Sequence, residues 1–228
     1  MQIKGVVFDF NGTLFWDTEI HNIAWNIFLN KYGINMSDRE KFEIIHGKNN
    51  EDILRLIFSR KLSDEKIKLF INEKEKIYQN LCLKKEMQLA IGAEEFLSFL
   101  KENKIPFTIA TASGYENVCF YFEKLKLDRF FDLSKVVYND GKIKGKPDPE
   151  IYLKAIKILG IKNYETLVFE DSPSGIKAAE NANVGKIIIV DSANENYNSN
   201  YQKIKSFSEV DRNIFFINPT LSSAKISN

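Results

Sequence analysis

Four short apolar runs constrain the fold of this chain more than any other feature. Ile3, Val6, Val7 and Phe8 form the first, and Pro106 to Ala110, Leu167 to Phe169 and Lys186 to Val190 form the others. Apolar on both faces and rich in β-branched residues, such runs read as strands of a parallel sheet covered by helices on each side. Helical stretches lie between them. From Pro149 to Leu159, Ile151, Ala155, Ile158 and Leu159 recur at helical spacing; Asp148 is placed to cap, Pro149 to open the first turn and Gly160 to end the helix. Strands alternating with helices predict an α/β fold, a Rossmann-like, right-handed, doubly wound parallel sheet.

The stretch from Trp16 to Met87 breaks this alternation. Ile20, Ile23, Ala24, Ile27 and Phe28 make one helical stripe, and Ile53 to Phe58 and Ile67 to Tyr78 also read as helices, with no convincing strand among them. The expected organisation is therefore a parallel-sheet core, residues 1–15 and 88–228, carrying an all-helical insertion, residues 16–87. The linkers are expected near Phe15-Trp16 and Lys84 to Gln88. Ala193 to Asn200 reads as a polar loop, and Ser222 to Asn228 as a frayed end.

Lys and Arg together number 32 against 31 Asp and Glu. This balance argues against a nucleic-acid binder that works by neutralising backbone phosphates, so any anion site is local. The apolar run near Met1 is too short for a signal segment, and no stretch approaches a membrane span. Cys82 and Cys119 lie far apart, with neither metal-ligand spacing nor a disulfide framework. These features lead to the expectation of a cytoplasmic, monomeric protein with reduced thiols.

In an open parallel sheet, ligands bind beyond the carboxyl ends of the strands. Asp9 and Asn11 stand at one such end, Thr111 and Ser113 at a second, Glu170 and Asp171 at a third, and Lys146 arrives in the loop Gly145-Lys146-Pro147-Asp148-Pro149. Phosphoryl transfer needs this mixture, because nucleophile and transferred group are both anionic and a cation must stand between them. Asp9, Asp171 and the backbone carbonyl of Asn11 are hard oxygen donors suited to Mg²⁺, and Lys146 adds a point charge. Thr111 and the backbone N–H groups of Gly12, Ala112 and Ser113 are placed to hold phosphate oxygens. Singly, each has a simpler meaning: a strand's polar exit, a helix cap, a solvated turn lysine.

The combination resembles a known family. Phe8-Asp9-Phe10-Asn11-Gly12-Thr13-Leu14 is similar to the first motif of the haloacid dehalogenase superfamily, usually Asp-x-Asp-Gly-Thr, and Ile109 to Ser113 to the second. Gly145 to Tyr152 resembles the third, and Phe169 to Ile176 the fourth. The resemblance spans nearly the whole chain and points to the helical-cap subfamily of β-phosphoglucomutase-like phosphatases. It implies a Mg²⁺-dependent hydrolase of small phosphorylated metabolites. Asp9 would form an aspartyl-phosphate, Thr111 and Lys146 would bind phosphate, and Asp9, Asn11, Glu170 and Asp171 would surround the metal.

The departure is Asn11, where such phosphatases carry an acid/base Asp. An amide keeps the shape but exchanges no proton, a loss that typically costs ~10²–10⁴ in rate. A mutase reaction, needing two proton shuttles, is disfavoured, and Asn11→Asp is expected to raise kcat. His21, beside the apolar stripe of the first inserted helix, is a candidate substitute acid; its simpler reading is a half-buried helix residue. Lys48 is a candidate phosphate contact, since Asn50 stands where relatives often have Arg; otherwise it is a solvated loop lysine. Trp16 reads as a hinge or packing residue. The competing functions are a degenerate, non-catalytic phosphate binder, a haloacid dehalogenase and a phosphonate hydrolase using Lys48.

Overall fold

The computed structural model describes residues 2–58, 62–194, 197 and 199–216. Its strands are β1 (Gly5–Phe8), β2 (Phe107–Gly114), β3 (Val137–Asn139), β4 (Thr166–Glu170), β5 (Lys186–Val190) and β6 (Gln202–Ile204). They form one sheet in the order β3-β2-β1-β4-β5-β6, with every neighbouring pair parallel. The helices are α1 (Thr18–Asn30), α2 (Asp38–Ile44), α3 (Asn50–Ile57), α4 (Asp64–Cys82), α5 (Ala93–Glu102), α6 (Tyr115–Leu125), α7 (Glu150–Leu159) and α8 (Pro173–Asn181).

The two-residue period of β1 divides the core. Val6 and Phe8 join a cluster with Phe96 and Leu100 of α5 and Tyr121 of α6, whereas Val7 packs with Ile151 and Ala155 of α7 and Ala178 of α8. Helices thus cover both faces, as apolar strands without alternation require. Phe8 stacks on Phe169 at 5.2 Å between ring centres and meets Phe96 edge-on at 6.2 Å. Its neighbour in register is likewise Phe169, so β1 and β4 end side by side and their following residues enter the same space.

Helices α1 to α4 all lie in sequence between β1 and β2. They hold an apolar cluster of their own, centred on Trp25, Phe28, Ile53, Leu54 and Phe70. Ile20, Ala24, Tyr78 and Cys82 pack instead against the cluster of the sheet. A second contact lies at α8, where Ser174 Oγ donates to the His46 carbonyl at 2.8 Å.

Several local expectations are corrected. In α1 the buried residues are Ile20, Ala24, Trp25, Phe28 and Leu29, while Ile27 is exposed, because Trp25 and Leu29 turn toward α4 and the loops around it. Helix α7 begins at Glu150 with Pro149 as its cap residue, although Asp148 still accepts the Glu150 N–H at 3.0 Å. The edge strands β3 and β6 had not been expected; each has only three residues, too few for a period to show. Ser222 to Asn228, and residues 195, 196 and 198 of the polar run, lie outside the described residues. No helix among the described residues is long and apolar enough to cross a membrane.

The packing of α8 on β4 gives a test. A Cβ at Gly175 would lie 1.5 Å from Glu170 Oε1, and Glu170 is fully buried. Gly175→Ala should therefore destabilise the fold by at least about 1–3 kcal/mol through overpacking. An unchanged denaturant midpoint would contradict this packing.

Candidate active site

Asp9 follows β1 directly, and its N–H donates to the Phe169 carbonyl at 3.0 Å, which carries the pairing of the two strands one residue further. The chain then turns on Phe10, whose carbonyl accepts the N–H groups of Leu14 at 2.9 Å and Phe15 at 3.0 Å. Gly12 permits the turn, with φ of +79° and Asp171 pressed so close that a Cβ would lie 2.0 Å from Oδ2.

Lys146 comes from the loop before α7 and is 3% exposed. Its Nζ donates to Asp9 Oδ1 and to Glu170 Oε1, both at 2.5 Å. Tyr152, two turns along the same motif, donates to Glu170 Oε1 at 2.7 Å. The other Glu170 oxygen accepts the Asp171 and Ser172 N–H groups at 2.8 Å and the Ser172 hydroxyl at 3.0 Å. Glu170 therefore fixes the lysine and the start of α8 at once. Asp171 accepts from Thr13 Oγ1 at 3.1 Å. Thr111 is buried in β2, and its Oγ1 accepts the Ser113 N–H at 3.1 Å.

Asp9, Glu170 and Asp171 bring one oxygen each within 4.8 Å of one another. Burial pushes the Asp9 carboxyl up to about 7, Lys146 working against this and Glu170 with it. Burial, then Glu170 and Asp9, hold Asp171 well above the carboxylate range. Lys146 is raised despite burial by the two carboxylates it touches. Three buried carboxylates face one ammonium, and the excess negative charge is what a divalent cation neutralises.

A second network adjoins the first. Asn11 Nδ2 donates to Asp17 Oδ2 at 2.6 Å and to Tyr121 Oη at 2.9 Å, while Asn11 Oδ1 accepts from Ser113 Oγ at 2.8 Å and Thr111 Oγ1 at 3.4 Å. Asp17, fully buried, also accepts from Tyr78 Oη, from the Gly12 N–H at 3.0 Å and from His21 Nε2 at 3.3 Å. His21 Nδ1 lies 2.9 Å from Lys74 Nζ, which pairs with Glu75 at 2.9 Å. Burial opposes ionisation of Glu75, but Lys74, His21 and a bond from Asn117 bring it down to about 2.

Both networks open on a cleft of about 620 Å³. Asp9, Asn11, Thr111, Ala112, Ser113 and Asp171 line its sheet side, and His21, Lys48, Lys74 and Glu75 its helical side. Lys146 and Glu170 stand behind the first wall, and Gly12 is held against Asp171. Lys48 reaches the Glu43 carbonyl at 3.4 Å on an exposed path. The sequence reading missed Asp17, Lys74, Glu75 and Tyr121. Lys74 left one signal, a charge inside the buried α4 stripe of Ile67, Phe70, Tyr78 and Cys82. Asp17 left another, an i,i+4 spacing to His21.

His46 sets a pH dependence. Burial, then the charges of His21 and Lys41, lower its pKa to about 4, and its Nε2 meets Asn22 Oδ1 at 3.0 Å as a donor. The unfolded chain binds this proton near 6.5, so stability is full above that value and falls as pH drops toward 4. Between pH 7 and 5 the loss from this group is on the order of 2 kcal/mol. His46→Gln keeps the donor and should flatten that part of the stability profile; a slope equal to that of the wild type would refute the assignment.

The sequence profile described as "Haloacid dehalogenase-like hydrolase" matches residues 6–189. Among similar curated proteins, "Phosphorylated carbohydrates phosphatase" of Thermotoga maritima is 29% identical, over 85% of this chain and 88% of its own. "Hexitol phosphatase A" of Escherichia coli is 30% identical, over 77% and 78%. Among solved structures, a "HAD hydrolase, family IA, variant 3" of Entamoeba histolytica superposes with a TM-score of 0.82 at 35% identity, covering 93% of this chain and 97% of its own. With its parallel sheet, its strand-end carboxylates and its buried lysine, the chain belongs to the haloacid dehalogenase-like hydrolases.

Proposed function

We propose that this protein is a Mg²⁺-dependent phosphatase of small phosphorylated carbohydrates or related metabolites, working through an aspartyl-phosphate on Asp9. The observation that carries this reading is the Lys146 bridge, with Nζ 2.5 Å from both Asp9 and Glu170. Lys146 binds only Asp9 Oδ1, and Oδ2 takes no hydrogen bond from the described residues. That second oxygen is the nucleophile. It attacks phosphorus as the ester P–O bond breaks and the leaving oxygen takes a proton from solvent water; a second water then adds to phosphorus, breaks its bond to Asp9 and releases phosphate with the carboxylate regenerated.

Lys146 holds Asp9 in one orientation, and the segment Thr111-Ala112-Ser113 faces the phosphoryl oxygens from the cleft wall, whereas the Gly12 N–H is already given to the Phe15 carbonyl and Asp17 Oδ1. Asp9, Asp171 and the Asn11 carbonyl would hold Mg²⁺, which supplies positive charge between nucleophile and phosphate. Glu170 belongs to the same acidic group, with both its oxygens already engaged by Lys146, Tyr152 and the backbone after β4. The buried excess of negative charge supports a metal-dependent reaction over haloacid dehalogenase chemistry. The names of the similar phosphatases support sugar-like phosphates as substrates.

Residues 16–87 serve as a cap that excludes water, hinged on the segments joining β1 to α1 and α4 to α5. On the far side of the cleft the cap meets the core through Gly47, whose φ is +74° and where a Cβ would lie 2.0 Å from Ser172 Oγ and 2.7 Å from Ser172 Cβ.

Two outcomes follow. Across a panel of sugar phosphates, turnover should vanish with EDTA and return with Mg²⁺, and Asp9→Asn should lower kcat by at least ~10³-fold with the fold intact. Full turnover of the metal-stripped enzyme, or of Asp9→Asn, would overturn the mechanism. Gly47→Ala should prop the cap from α8 and reduce kcat/KM roughly tenfold or more, as misplacement of a closing element does. An unaffected kcat/KM would show that closure does not use this contact.

A further inference from the structure

Resting on the phosphoryl-transfer reading, we propose that Asp17 is a positioning residue of the active site, and that its carboxylate is the reason position 11 carries an amide. A carboxylate can only accept, so the atom of residue 11 facing Asp17 Oδ2 at 2.6 Å must be a donor. The opposite atom receives the hydroxyls of Ser113 and Thr111 and must be an acceptor. An amide satisfies both sides as it stands, whereas a carboxyl would do so only by taking up a proton. Asn11 is therefore the residue this pocket is built around, rather than an acid/base residue that has been lost.

The consequence reverses the expectation drawn from the sequence. Asp at position 11 would set two carboxylate oxygens 2.6 Å apart in a region where Asp17 is fully buried, and would remove the donor to Tyr121 as well. Like charges at that separation in a dry interior are strongly unfavourable. The carboxylate would be driven from this place or forced to take up a proton, and the Thr111 and Ser113 hydroxyls would lose the fixed acceptor that orders this wall of the cleft.

Asp17 extends this order into the helical segment. Lys74 has only protons to give, so His21 Nδ1 accepts from it and the Nε2 proton faces Asp17. The His21 ring lies flat on Tyr78, 3.9 Å between centres, and the Tyr78 hydroxyl also ends on Asp17. One carboxylate thus fixes the amide beside the nucleophile and a ring on the helical wall of the same cleft. The Gly12 N–H, 3.0 Å from Oδ1, ties in the loop that carries Asn11.

The test is a swap. Asn11→Asp, Asp17→Asn and the double variant Asn11→Asp/Asp17→Asn are compared with the wild type by denaturant unfolding and by steady-state kinetics on a sugar phosphate with Mg²⁺. Each single change should lower the folding equilibrium constant and reduce kcat by about 10²-fold, with KM within about threefold, because orientation rather than ground-state binding is lost. The double variant restores one donor facing one acceptor. It should recover at least tenfold over the additive expectation in both the folding constant and kcat. The stability cycle needs no turnover, so it judges the pair even if the phosphatase assignment fails. A purely structural pair would show coupling in stability with unchanged kcat in every folded variant, and that result overturns the positioning role. An Asn11→Asp variant with raised kcat, or a swap no better than additive, overturns the proposal entirely.

Discussion

A single buried ammonium organises this molecule. Lys146 stands 2.5 Å from Asp9 and from Glu170, inside a wall that also holds Asp171. Lys146 pairs two of the three buried carboxylates, while burial and those neighbours push Asp171 toward its neutral form; removing one partner of such a buried pair typically costs about 3–5 kcal/mol. The sheet register makes the set possible. Phe8 pairs with Phe169, so Asp9 and Glu170 leave adjacent strands at the same height. The glycines complete it: Gly12 lets the first turn press on Asp171, and Gly175 lets α8 press on Glu170.

Beside this charged set lies one of different character. Asp17 gathers donors from the loop after β1, from α1 and from α4, joining the sheet to the helices inserted after it. In the proposed mechanism the first network supplies the nucleophile and its counter-charge, and the second fixes the walls around them. Both open on one cleft, with Asp9 on its sheet side and His21 and Lys74 on its helical side. In the proposed mechanism, Asp17 is the link between the helical segment and the loop that carries Asn11.

The sheet core was legible because its strands are buried on both faces, which leaves short unbroken apolar runs that few other folds need. Asp9, Thr111, Glu170 and Asp171 were legible for a related reason: strand ends in a parallel sheet converge, so position in sequence already implies position in space; Lys146, in the loop before α7, was legible from its motif instead. Asp17 was not, since its importance rests on Tyr78 of α4, which is distant in sequence, and on an amide that only the folded loop turns toward it. Lys74 reads as an ordinary helix lysine until its stripe is seen to be buried. Strands β3 and β6 gave too little pattern, and Ile27 misled because apolar spacing alone does not say which side of α1 faces α4. Asn11 was read against the family's first motif as a missing acid. Only its four hydrogen-bond partners show an amide in a matched place.

The central claim is covalent transfer of the phosphoryl group to Asp9. The most direct measurement is rapid acid quenching of the Mg²⁺-loaded enzyme during turnover of a sugar phosphate, followed by peptide mass spectrometry. The account predicts a hydroxylamine-sensitive phosphoryl group on Asp9. Enzyme quenched in mid-turnover with Asp9 unmodified, or with the phosphoryl group on another residue, would contradict it.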